Sequence, residues 1–405
     1  MKKLLPFFTQ LLKGLFQVGI NKLFSVLGGG IALLSLSHLL NFFQLCLAPV
    51  NTFYSQSLHH YLGGGGERSK PFSGYLIIIA TLTSYFLAFI ALIFSPVLFK
   101  GFELDLWVLI LLSIGILPFY VVLTVVETQL IFNSRFDIQF KGYLLNVIIT
   151  GAIVSIIAWM DWYYGIISLI ILRVLVILIA FVKQRKNISF KFRKYFRSFY
   201  EITRPYIGIS VLAVILTQFI FLAERNLVKG FADLSAAGAW QAASTTGFYI
   251  QLIAITIYSS FYIPEISKRK GALLLQYVWR YFLILSMFFP AGAMIIVFFS
   301  EYLHMMLFSS KIIYRAELYY FIISGFVLRS MAQLFSLLFL KEKLWRDYLA
   351  ILLLITSIHI SGLIYLYNSV FTVNNIAILF LIVCTVQFIM SLGFYIFRRQ
   401  TFRNG

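Results

Sequence analysis

Cysteine is nearly absent from this chain: there are two, Cys46 and Cys384, and both fall inside apolar runs. A disulfide framework or a cysteine-held metal is therefore not expected. The five histidines do not compensate, because His59 and His60 are adjacent while His38, His304 and His359 are scattered without metal-ligand spacing. The glycine run at 63–66 lacks the Lys-Ser/Thr that a phosphate-binding loop needs. No outer loop is long enough to house a catalytic domain. Neither an enzyme nor a bound cofactor is expected. Acidic residues are also few, 14 against 33 Lys and Arg, for a net charge of +19.

What the chain has in abundance is apolar surface. Hydrophobic residues make up 61% of its 405 positions and charged residues 12%, with a mean hydropathy of +0.93. A soluble domain cannot bury that much, so the composition predicts a polytopic membrane protein. Crossing the apolar core of a bilayer takes about 20 residues of helix. On that criterion the all-α chain has about twelve transmembrane helices, near 4–26, 31–58, 73–97, 105–131, 140–159, 164–182, 205–225, 236–263, 277–299, 315–340, 346–367 and 373–397. The start, Met1-Lys2-Lys3-Leu4, looks like a signal peptide, but Lys13 interrupts its apolar core and no small-residue cleavage site follows. An uncleaved first helix is expected.

The basic charge is distributed as a membrane topology requires, not as a nucleic-acid site would have it. With the N-terminus inside, 24 Lys and Arg lie in cytoplasmic loops and adjoining span ends, and four lie outside. The remaining five, Lys13, Lys22, Arg173, Arg225 and Arg329, fall within spans. The longest hydrophilic stretch, 183–204, is a basic linker suited to anionic membrane lipid. It separates an N-terminal six-helix half, 1–182, from a C-terminal six-helix half, 205–405. A weak internal repeat agrees: Asn21-Lys22-Leu23-Phe24 before Gly28-Gly29-Gly30, and Glu224-Arg225-Asn226-Leu227 before Gly230. Halves of this kind are a common transporter plan.

Several spans carry polar stripes. In the second, Ser37, Asn41, Gln44, Ala48, Asn51 and Ser55 recur at steps of four and three, which places them near one helical face. The tenth has Gly325, Arg329, Gln333 and Ser336, and the seventh has Ser210, Thr217 and Glu224, with Arg225 beside them. Such faces turn toward protein or water, either to join helices or to line a cavity. Arg329 is near mid-span, where a cation costs roughly 2.5–3.5 kcal/mol to insert. It calls for an anionic ligand or for a carboxylate on another helix, with Glu224 and Glu127 as candidates. Lys13 and Lys22, nine residues apart, lie on opposite faces of a straight helix and meet one cavity only if Gly14 or Gly19 bends it. Glu127, near an inner span end, is expected to be solvated.

The stretch from Glu224 to Pro264 carries a resemblance to a known family. Gly238-Ala239-Trp240-Gln241-Ala242, continuing to Tyr262-Ile263-Pro264, resembles the eighth-span signature of the O-antigen and enterobacterial common antigen flippases. These belong to the multidrug/oligosaccharidyl-lipid/polysaccharide exporter superfamily. Lys13 and Lys22 with the following Gly-rich turn, Asn51-Thr52, Glu224-Arg225, Ser310-Lys311 and Gly325 through Arg329 resemble further features of the family. The chain departs from it at Phe53, where the family has Gly, at Phe326, where it can have Asp, and at Arg173.

The resemblance implies a flippase moving an undecaprenyl-diphosphate-linked oligosaccharide across the bacterial inner membrane by alternating access, with both termini cytoplasmic. The expected substrate-binding residues are Lys13, Lys22, Asn51, Arg225, Gln241 and Arg329. The expected partners are the lipid-linked oligosaccharide, membrane lipids and a polysaccharide polymerase. A multidrug exporter of the same superfamily is the alternative, although cationic drugs favour deep carboxylates and the deep charges here are mainly basic. A membrane polysaccharide polymerase or ligase would need a sizeable outer loop. The charge asymmetry makes a direct prediction: cysteines introduced near Lys100, Asp161 and Asn368 label from outside in intact cells, and one near Lys186 does not. Labelling near Lys186 would reverse the orientation.

Overall fold

The computed structural model describes residues 5–50, 69–94, 106–133, 135–181, 188–231, 234–342, 344–369 and 371–399. Helices account for almost all of them, as a bilayer demands, because a helix satisfies its backbone N–H and C=O groups within itself. In chain order they are α1 Leu5–Pro49, α2 Ser69–Ile93, α3 Leu106–Phe132, α4 Phe136–Met160, α5 Trp162–Phe181 and α6 Phe196–Phe231. There follow α7 Leu234–Ile257, the short α8 Ile263–Lys268, α9 Gly271–Phe298, α10 Ser300–Leu307, α11 Ala316–Lys341, α12 Trp345–Asn368 and α13 Val373–Phe397. Among the described residues, nine helices are long and apolar enough to cross a membrane. One of them, α1, has 45 residues, about 67 Å at 1.5 Å per residue, against a hydrocarbon core of about 30 Å. Counting α1 as two crossings and adding α6 and α7 gives the expected twelve.

Helix α1 is long enough for two crossings, and it breaks at Gly29, whose φ of 62° and ψ of −146° are open only to glycine. The break is not at Gly14 or Gly19. Helix α6 also differs from expectation. A 3-10 turn at Arg193–Tyr195 leads into a helix that starts at Phe196, ahead of the apolar stretch that hydropathy detects at 205. Exposed charged residues continue a helix readily where water solvates them, so hydropathy finds the span and not the helix.

By its Cα packing the chain divides into two compact units. Unit 1 comprises Met1–Leu27 and Ser35–Asn226; unit 2 comprises Gly28–Leu34 and Leu227–Gly405. In unit 1, Leu123, Val126 and Leu130 of α3 meet Tyr143 of α4 and Ile177 and Phe181 of α5. The Phe181 ring lies so close to Gly142 that a Cβ there would come within 2.5 Å of it. Ahead of α6, the Ser189 N–H donates to Lys70 O (3.1 Å), and Phe192, Phe196 and Phe199 surround Tyr75. The Tyr75 hydroxyl meets Thr203 Oγ1 at 3.0 Å.

Unit 2 is built on α11, which packs against α7, α9 and α13. Glycines again take rings from the neighbouring helix: Gly247 faces Phe326, and Gly325 faces Phe380. Phe326, one of the departures noted above, thus fills the α7–α11 contact. The Gly28–Leu34 turn of α1 packs here too, with Leu33 against Ala242, Phe308 and Ile312. A Cβ on Gly238 would come within 3.3 Å of Gly30 Cα, so the small residues opening α7 permit this close approach. Arg398 binds both oxygens of Asp347 (2.8 and 3.0 Å), joining the end of α13 to the start of α12.

Gly74 tests the docking ahead of α6, because a Cβ there would meet Ser189 O at 2.1 Å, whereas nothing lies within 4 Å of a Cβ at Gly115. Gly74→Ala is expected to destabilise the protein by about 1–3 kcal/mol. Gly115→Ala is expected to be neutral or to stabilise by up to about 1 kcal/mol. Thermal unfolding of the two variants in detergent provides the check.

Candidate functional site

Four helices of unit 1 each contribute one ionisable side chain to a cluster: Lys13 from α1, Glu127 from α3, Tyr143 from α4 and Arg173 from α5. Lys13 Nζ lies 3.4 Å from Glu127 Oε1 and 3.8 Å from the centroid of the Tyr143 ring. The Tyr143 hydroxyl donates to the same carboxylate oxygen. Arg173 acts electrostatically on Lys13, Tyr143 and Tyr120. The Lys13 and Glu127 side chains are 22% and 19% exposed, so the expected solvated role for Glu127 is replaced by a largely enclosed ion pair. With two cations and one carboxylate, the cluster carries a surplus positive charge.

Helix α4 extends this polar surface. Gln139, Tyr143, Asn146 and Thr150, all buried, recur at steps of four, three and four, and Thr150 Oγ1 donates to Asn146 Oδ1 (2.9 Å). This stripe is inconspicuous in the sequence, although its spacing follows the same rule as that of the second span. The signal was diluted by the aliphatic residues on the other three sides of α4.

The remaining expected site residues are spread over both units. Lys22 is half-buried on α1, and its carbonyl accepts from Ser25 Oγ (2.8 Å). Since α1 bends only at Gly29, Lys22 faces away from the side that carries Lys13. Asn51 lies outside the described residues. Arg225 donates from Nη1 to Ser37 O at 2.7 Å and interacts with the adjacent Glu224 carboxylate. The exit of α6 is thereby tied to the first residue of the second-span stripe, a juxtaposition that a one-dimensional reading cannot supply. Asn41 in that stripe is buried, while Gln44 is exposed.

Gln241 and Arg329 belong to unit 2. Gln241 is buried, and its Nε2 donates to Thr245 Oγ1 at 3.0 Å. Arg329 is half-buried on α11 and acts electrostatically on Tyr348 of α12. One turn further on, Gln333 Oε1 is buried with no hydrogen-bond partner among the described residues. The register of α11 is held by a π-helical turn, Tyr258–Tyr262, that follows α7. From it the Tyr258 hydroxyl donates to Ser330 O (2.7 Å) and the Tyr262 hydroxyl to Leu334 O (3.2 Å). The two carboxylates considered as partners for Arg329 are engaged elsewhere, Glu127 with Lys13 and Tyr143, and Glu224 with Arg225.

Removing one member of an enclosed ion pair strands the other, which costs more than replacing both. Glu127→Leu leaves Lys13 without its carboxylate, so it is expected to lower thermal stability more than the double variant Lys13→Met/Glu127→Leu. The expected coupling is about 1–3 kcal/mol. Additive effects of the two substitutions would show that the pair contributes nothing.

No protein-family model and no curated protein matches the sequence. Solved structures do resemble the fold. A multidrug resistance MATE family transporter of the MOP superfamily, in its inward-facing conformation, superposes with a TM-score of 0.70 at 14% identity, over 100% of this chain and 99% of that one. The Vibrio cholerae MATE transporter VcmN, in the bent form, gives 0.64 at 13% identity, over 99% and 95%. A MATE protein in complex with MaL6 gives 0.67 at 13% identity, over 100% and 96%. At such identities the likeness is one of fold, and it runs the length of the chain: this is a polytopic membrane protein with the fold of the MATE transporters of the MOP superfamily.

Proposed function

We propose that the chain is an alternating-access transporter of an anionic, lipid-linked oligosaccharide, with a six-span half on either side of its basic linker. The observation that carries the anionic cargo is the sign of the charge within the spans. Five cations, Lys13, Lys22, Arg173, Arg225 and Arg329, stand against the carboxylates of Glu127 and Glu224. A diphosphate headgroup would supply the missing negative charge, with Arg offering a two-pronged donor and Lys a point charge. Buried amides and hydroxyls, among them Gln241 and Asn146, suit sugar hydroxyls, and the lipid tails stay in the bilayer. The bacterial inner membrane, cytoplasmic termini and association with a polysaccharide polymerase belong to this same reading.

Multidrug export is the second reading, and the similar structures favour it over the first, because two of them are by name multidrug resistance transporters. One fold serves many cargoes, so the cargo has to be argued from the site.

Deleting the gene separates the two. The oligosaccharide reading expects lipid-linked oligosaccharide to accumulate on the inner leaflet with unchanged sensitivity to cationic drugs. The multidrug reading expects unchanged glycolipid and increased drug sensitivity. In complementation, Arg329→Lys is expected to restore part of the transport and Arg329→Gln none, at normal protein levels. Full restoration by Arg329→Gln would remove Arg329 from the site.

A further inference from the structure

The stretch leading into α6 docks on α2 and still leaves several aromatic rings and cations exposed. Ser189, Phe192, Phe199 and Thr203 dock on the first turns of α2, through the Ser189–Lys70 backbone bond, the Tyr75–Thr203 hydroxyl pair and the rings around Tyr75. Phe196 also lies against Tyr75, yet the apolar rings of Phe190, Phe196 and Tyr200 remain 60%, 47% and 42% exposed, and Phe196 stacks on Tyr200 with an interplanar angle of 3°. Lys191, Arg193, Lys194, Arg197 and Arg204 are exposed as well, against the single acid Glu201, which pairs with Arg197 at 3.5 Å.

We propose that residues 188–204 form a docking surface for anionic phospholipid headgroups. The length of α6 sets the depth of this surface. Its 36 residues span about 54 Å, well beyond a hydrocarbon core of about 30 Å. The apolar stretch begins near residue 205, so the first turns of α6 stand at or beyond the headgroup level. Exposed aromatic rings interleaved with cations match that boundary: the rings enter the edge of the acyl region and the cations meet phosphate. A bilayer satisfies both demands at once, whereas water leaves the rings exposed and a soluble anion leaves them uncovered. The stretch is anchored to α2 through the Ser189–Lys70 and Tyr75–Thr203 bonds, so little ordering opposes the binding. It serves whichever cargo the protein carries.

The test uses the full-length protein in phosphatidylcholine vesicles containing either brominated phosphatidylglycerol or brominated phosphatidylcholine at equal mole fraction. A bimane on Phe190→Cys reports quenching, and labelling is directed to the new thiol because Cys46 and Cys384 are both buried. Brominated phosphatidylglycerol is expected to quench at least about twofold more strongly than brominated phosphatidylcholine, an excess that fades as salt screens the cations. Replacing Lys191, Arg193, Lys194 and Arg197 with Gln should abolish the excess while quenching by both lipids continues. Equal quenching in the parent protein, or an excess that survives neutralisation, overturns the proposal. No quenching by either lipid also overturns it, by placing the surface in water or against a soluble partner. Should Phe190→Cys fail to purify as a monodisperse protein, Tyr200→Cys reports from the same face.

Discussion

Water is absent from the core of a bilayer, and every polar group this chain places there needs a partner within the protein. Backbone groups find theirs in helices, and small hydroxyls find theirs on the preceding turn. Thr83, Ser113, Thr124, Thr217, Thr256 and Thr385 each donate to the carbonyl four residues back, at 2.6–3.0 Å. Charged groups cannot be satisfied so locally. Lys13 is met by a carboxylate and a ring from two other helices, and Arg225 by a carbonyl on α1. The positions of these charges therefore dictate which helices must be neighbours.

The same constraint governs the apolar contacts. Lipid is as apolar as leucine, so helices associate in a membrane through close fit and polar contacts more than through the hydrophobic effect. Glycine against a ring provides that fit at Gly142 with Phe181, Gly247 with Phe326 and Gly325 with Phe380. The tyrosines that follow α7 add polar contacts by donating to carbonyls of α11. Arg329 stands next to Ser330, so its height on α11 is set by this ladder.

The enclosed charges also bear on chemistry. In unit 1, Glu127 balances one of two nearby cations, and an anion entering there would compete with it for Lys13. A cationic cargo would instead have to displace Lys13 from Glu127. The surplus of positive charge favours the first.

Sequence alone was sufficient for the class of protein, the number of spans and nearly all of their positions, because hydropathy and length are local properties that the bilayer reads directly. It also singled out Lys13, Arg225 and Arg329, since a charge in an apolar run is conspicuous without any structure. It misjudged Glu127, whose nearness to a span end says nothing of Lys13, 114 positions earlier. It passed over the stripe on α4 and placed the start of α6 late, because burial and helix continuation depend on neighbours that hydropathy does not see. Pairing was decided by tertiary structure alone: a buried charge announces that it needs a partner, but only the packing of separate helices determines which one it meets.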